Sequence, residues 1–190
     1  MIEVRPGGRR RIDRVLDPGF VRGLEELSLD RLRERRDEAA QEETDLSYLR
    51  RLLHARIDIV RAEQERRRTG GQGSVVDQLA AILSDNALRP ARGSGRHQSL
   101  EPSRAGQHRR QAELLLGDSD LSDVESLTDN KLAATLRDYA EEETSVSARR
   151  REVQAVVDLF NDEIAGRYAS GTASVDDLLN AERGRERGTS

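Results

Sequence analysis

Read in alternating steps of three and four, residues 132 to 164 give Leu132, Leu136, Tyr139, Glu143, Val146, Arg150, Val153, Val157, Phe160 and Ile164. That spacing is the seam of a long coiled-coil helix, with two charges at its middle. The same walk from residue 32 gives Leu32, Arg36, Ala39, Glu43, Leu46, Arg50, Leu53, Ile57 and Val60. Again a Glu and an Arg stand at the centre. The pattern predicts two long helices, over 28–70 and 128–171. Ser28 and Thr128 are suited to cap their starts, and Gly70-Gly71 and Gly171 to stop them. Roughly 41 residues at about 1.5 Å each give a helix of about 60 Å.

Around the helices the pattern weakens. Residues 1–27 form an N-terminal segment in which 1–12 read as disordered, and "DRVLDPGFVRGLEEL" offers a short helix at or after Pro18-Gly19. Residues 71–127 hold a short amphipathic helix, "SVVDQLAAILSD", and then a flexible basic linker over about 86–111, rich in Arg, Ser, Gly and Pro. "AELLLGDSDLSDVESL" follows with short helical fragments, and 172–190 carry "SVDDLLNAE" and a tail. The apolar faces of "FVRGLEEL", "SVVDQLAAIL" and "SVDDLL" either fold back on the coil ends or wait for a partner.

The two helices are copies. At an offset of one hundred, Leu27, Leu32, Gly71, Ser74, Val75, Asp77 and Leu79 have identical partners at 127, 132, 171, 174, 175, 177 and 179. Coiled-coil composition inflates chance matches, but it does not align a cap, a Gly stop and a Ser-Val start. The fold class read from this is all-α: an antiparallel two-helix coiled coil from an internal duplication, with short flanking helices and a disordered basic linker.

Composition narrows the function. Charged residues are 36% of the chain and aromatics 3%, with no Trp, which suits a thin seam better than a thick core. Cys is absent, so thiolate metal sites are excluded and a reducing, cytoplasmic setting is expected. Neither a signal peptide nor a membrane span is read. A two-helix rod offers no deep, water-excluding pocket, so an enzyme is not expected. His54, His97 and His108 form no metal set.

One feature of the seam calls for chemistry. Glu143, Ser147, Arg150, Gln154 and Asp158 follow one another by four, three, four and four residues. They therefore share one side of the helix. Glu43, Ser47, Arg50, His54 and Asp58 repeat the stripe, with His in place of Gln. A single charge in a seam more often sets register than binds anything. Doubled, the stripe equally suits a ligand: Arg can grip guanine O6 and N7 or a phosphate, and a carboxylate can accept from guanine N1 and N2. A third reading, nucleic-acid binding by the basic linker, lacks aromatic residues for stacking and ranks last.

The spacing E-x3-S-x2-R-x3-Q-x3-D resembles the signature of the RsiG family of actinobacterial anti-sigma factors. It is complete in the second helix and carries His54 in the first, where a neutral imidazole can still donate and accept. The resemblance implies cyclic di-GMP as regulatory ligand, two molecules per chain, held by the ten residues of the two stripes. It also implies a WhiG-like sigma factor of the flagellar and sporulation type as partner, late sporulation genes as the target, and neither membrane nor direct DNA binding. A structural coiled coil with register-setting charges stays open beside it.

Overall fold

The computed structural model describes residues 3–71, 103 and 121–171, and every regular element among them is helical. In chain order these are α1 (Arg11–Val15), a 3-10 turn at Leu24–Glu26, α2 (Leu29–Thr69), a 3-10 turn at Leu121–Ser126 and α3 (Asp129–Ala169). The short helix at 74–85, the linker at 86–111 apart from Ser103, and "SVDDLLNAE" lie outside the described residues.

The long helices begin and end where the sequence predicts. The amide of Arg31 donates to Ser28 Oγ, and that of Lys131 to Thr128 Oγ1, both at 3.3 Å. Each cap satisfies an amide that the first turn leaves without a helical partner. At the other ends Gly70 and Gly171 take positive φ values of 63° and 72°, the left-handed stop that a side chain disfavours. α2 and α3 pack against each other antiparallel: Arg50 meets Glu143, whereas Arg67, further along α2, meets Asp129, earlier on α3.

The seam is close to the one expected. Leu32, Ala39, Leu46, Leu53, Ile57 and Val60 of α2 are buried, as are Leu132, Tyr139, Val146, Val153, Phe160 and Ile164 of α3. Fully burying a Leu or Phe contributes about 1.5–3 kcal/mol, so these ladders hold the pair together. Burial of the Tyr139 hydroxyl pushes its pKa up to about 12, with Arg56 nearby opposing the rise. Periodicity misses a second buried stripe on α2, formed by Glu42, Asp45 and Leu49. Its carboxylates are compensated: Arg11 lies 3.9 Å from Glu42, and Ser103 Oγ donates to Asp45 at 2.6 Å.

The chain divides into two compact units, one of 43–151 with residues 1–3, the other of 4–42 and 152–190. In the second unit Leu32, Phe160 and Ile164 form a core that also takes in Phe20, Val21, Leu24 and Leu27. Phe20 meets Phe160 edge-on at 5.6 Å, and Arg35 lies over the Phe20 ring while donating to its carbonyl at 2.6 Å. The apolar side of "FVRGLEEL" is thus folded back on the coil rather than left for a partner.

The N-terminal expectation needs correcting. Residues 3–12 are not structureless: Arg5–Gly8 turn on a 2.9 Å backbone bond, and the buried carboxylate of Asp13 gathers the segment. It accepts from the Arg5 amide at 2.9 Å and from Arg10 Nε and Nη2 at 2.8 and 2.6 Å. The short helix α1 precedes Pro18-Gly19, since proline disfavours helical backbone in the residue before it, while the 3-10 turn at Leu24–Glu26 falls after them as the sequence allowed.

Each unit closes on a matching clamp. In the first, Arg67 donates to Glu63 at 2.5 Å, to Asp129 at 2.7 Å and to the Glu125 carbonyl at 3.1 Å. In the second, Arg167 donates to Glu163 at 2.8 Å and to the carbonyls of Leu24 and Glu25 at 2.9 and 3.1 Å. The end of one long helix thereby straps the 3-10 turn that precedes the other. Glu63 and Glu163, Arg67 and Arg167, and Glu25 and Glu125 all differ by one hundred, so the clamp belongs to the duplicated unit.

Candidate nucleotide-binding cluster

Glu43, Ser47, Arg50 and His54 project from α2, and Glu143, Ser147 and Arg150 from α3, into one polar cluster in the first unit. On α2, Ser47 Oγ donates to Glu43 Oε1 at 2.8 Å; on α3, Ser147 Oγ donates to Glu143 Oε1 at 2.6 Å. The arginines then cross. Arg50 Nε donates to Glu143 Oε1 and Ser147 Oγ, each at 3.0 Å. Arg150 Nη1 donates to Glu43 Oε1, also at 3.0 Å. Exchanging the copies exchanges the two pairs, as a two-fold relation between them requires.

The sequence produces this arrangement through helix geometry. A Ser four residues after a Glu lies one turn along the same face and braces its carboxylate. The Arg three residues further is displaced round the helix and is long enough to reach the partner. The four ionised side chains sum to zero charge. They are half-buried: Glu143 keeps 18% and Arg50 40% of its side-chain surface, while Arg150 and Glu43 keep 27% and 26%. Burial would raise the Glu143 pKa, but the Ser147 hydroxyl, the Arg50 guanidinium and nearby His54 together hold the carboxyl below its ordinary value. It stays ionised at neutral pH.

His54 joins the same oxygen. Its Nε2 lies 3.1 Å from Glu143 Oε1, yet is not oriented for a hydrogen bond. The other stripe members are placed differently. Asp58 is half-buried one turn beyond His54, whereas Gln154 and Asp158 are exposed on α3. Glu43, Ser47, Arg50, His54, Glu143, Ser147 and Arg150 thus meet in the first unit. Pairing between the carboxylates and guanidiniums is the geometry a register-setting role would need; their partial exposure leaves the same atoms within reach of a ligand.

Sequence reasoning missed the buried carboxylates Glu42, Asp45 and Glu63 and the paired clamps. The recurrence of Glu63 and Arg67 one hundred positions on was the available signal. Among the described residues no helix is long and apolar enough to cross a membrane, and no group of acidic and His side chains could hold a metal.

A family model described as RsiG-like matches residues 18–83 and 118–187, taking in both copies of the stripe and leaving out the Asp13 knot. No curated protein matches the chain.

Proposed function

The chain belongs to the RsiG-like family, and from that premise we propose that it is an anti-sigma factor armed by cyclic di-GMP. It takes two nucleotides at the stripe residues of α2 and α3, and so armed sequesters a WhiG-like sigma factor from RNA polymerase. Late sporulation genes then stay silent while the messenger is abundant. The family is one of regulatory anti-sigma factors rather than enzymes.

The observation that carries the reading is the meeting of both Glu-Ser-Arg sets in one half-buried cluster inside the family match. Arg50 and Arg150 are suited to guanine O6 and N7 or to phosphate, through a planar fork. Glu43 and Glu143, once their arginines turn to the ligand, can accept from guanine N1 and N2. Two nucleotides carry four phosphate charges, and exposed Arg51 and Arg151 add attraction at the edge. Asp58, Gln154 and Asp158 complete the two stripes as ligand residues. The ligand replaces existing pairs, and half-exposed ion pairs are cheap to exchange, at about 0–1 kcal/mol each.

A register-only coiled coil is the second reading. It is favoured by one observation, that the cluster's charges already satisfy one another. Calorimetry separates the two. The purified chain should bind cyclic di-GMP at two molecules per chain, and cyclic di-AMP roughly 10- to 100-fold more weakly, because an Arg donor facing the adenine amino group loses about 1–3 kcal/mol. No heat of binding with either dinucleotide would leave the register reading standing.

A further inference from the structure

The two copies of the clamp are unequal. In the first copy fully buried Glu63 takes two arginines. Arg66 donates from Nε to Oε2 at 2.7 Å and from Nη2 to Oε1 at 2.9 Å, and Arg67 adds its Nε at Oε1. Arg66 also feels the charge of Glu125 and reaches the Gly71 carbonyl at 3.4 Å. At the offset of one hundred, Glu163, Arg167 and Gly171 match Glu63, Arg67 and Gly71, and Glu25 matches Glu125, but Gly166 stands in the place of Arg66. A Cβ built at 166 would meet nothing within 4 Å. An open cavity of about 450 Å³ lies there, lined by Glu25, Glu163, Gly166, Arg167 and Ser170.

The place of a guanidinium thus recurs with both its carboxylates and without its arginine. We propose that this cavity is a docking pocket for an arginine side chain of a protein partner, which takes in trans the place that Arg66 holds in cis. Arg167 occupies Oε1 of Glu163 at 2.8 Å, and Oε2 is the oxygen whose counterpart receives Arg66 Nε in the first copy. Glu25 supplies the second negative charge, as Glu125 does for Arg66. An anion is repelled by this lining, and a lysine cannot reproduce the two-pronged contact that the planar fork of arginine makes with one carboxylate. A glycine within a helix is less stable than an alanine, and here it leaves open the space an incoming side chain needs. The pocket uses none of the stripe residues, so it stands or falls apart from the nucleotide reading.

The pocket can be filled in cis and probed in trans. Gly166→Arg should melt a few degrees higher than Gly166→Ala, the control for helix propensity, and adding Glu163→Gln to both should remove the difference. N-acetyl-argininamide titrated into the unaltered chain should shift the Glu163 carboxyl ¹³C resonance saturably. The neutral isostere N-acetyl-citrullinamide should not, and Gly166→Arg should abolish the shift. The pocket is not a guanidinium site if Gly166→Arg melts no higher than Gly166→Ala. The same holds if the arginine probe gives no saturable shift, or moves Glu163 equally in Gly166→Arg.

Discussion

Arg150 donates to Glu43 across the seam at 3.0 Å, with about a quarter of each side chain still exposed (27% and 26%). Such a pair contributes about 0–1 kcal/mol, and Glu43 retains the Ser47 hydroxyl when the arginine goes. Arg150→Ala should therefore shift the ligand-free melting temperature by no more than a few degrees. Its affinity for cyclic di-GMP should fall roughly 10- to 100-fold, the loss expected of hydrogen bonds from a charged donor. A large fall in melting temperature with binding unchanged would assign Arg150 to register alone. At His54 the structure changes the emphasis: the imidazole faces Glu143, already held by Arg50 and Ser147. A Gln there, as at 154, keeps a donor and an acceptor in the same place. His54→Gln should bind cyclic di-GMP within a few-fold of the unaltered chain in the same titration. Loss of binding would make the two half-sites unlike.

Among the elements, the clamp at the end of α2 carries the sharpest stability claim. Hydrogen bonds from Arg66 first, then Arg67, outweigh desolvation and hold the buried Glu63 carboxyl below its ordinary value of 4.5. A depressed carboxylate contributes stability that is present above the unfolded value and is lost as pH falls through the folded one. Glu63→Gln should cost about 1–3 kcal/mol at pH 7, the usual cost of removing a charged hydrogen-bond partner at a buried site. It should also flatten the decline in stability below about pH 4.5. Thermal melts of both chains from pH 7 to 3 would show it; parallel curves would mean that Glu63 is not the titrating group. The helices themselves were legible, because Ser28, Thr128 and the two Gly stops act locally and the three-four spacing of Leu, Val and Phe survives in both copies. Glu42, Asp45 and Glu63 were not legible as buried residues. A carboxylate reads as solvated until the arginine or serine that compensates it is seen in space. The Asp13 knot escaped for a related reason, since it gathers a backbone amide as well as a side chain.

For the molecule as a whole, the hundred-residue offset was the most informative feature of the sequence. It foretold two matching helices; the symmetric exchange of Arg50–Glu143 for Arg150–Glu43 became visible only in the structure. It did not foretell that Gln154 and Asp158 would stand exposed, because an arc measured on one helix takes no account of where the partner lies. The family match extends over both copies and makes regulation of a sigma factor the account's central claim. The most direct measurement is sedimentation of the chain with a WhiG-type sigma factor, with and without cyclic di-GMP. The account predicts a complex when the nucleotide is present and its loss, or marked weakening, when cyclic di-AMP replaces it. A complex equally tight without nucleotide, or none in its presence, would contradict it.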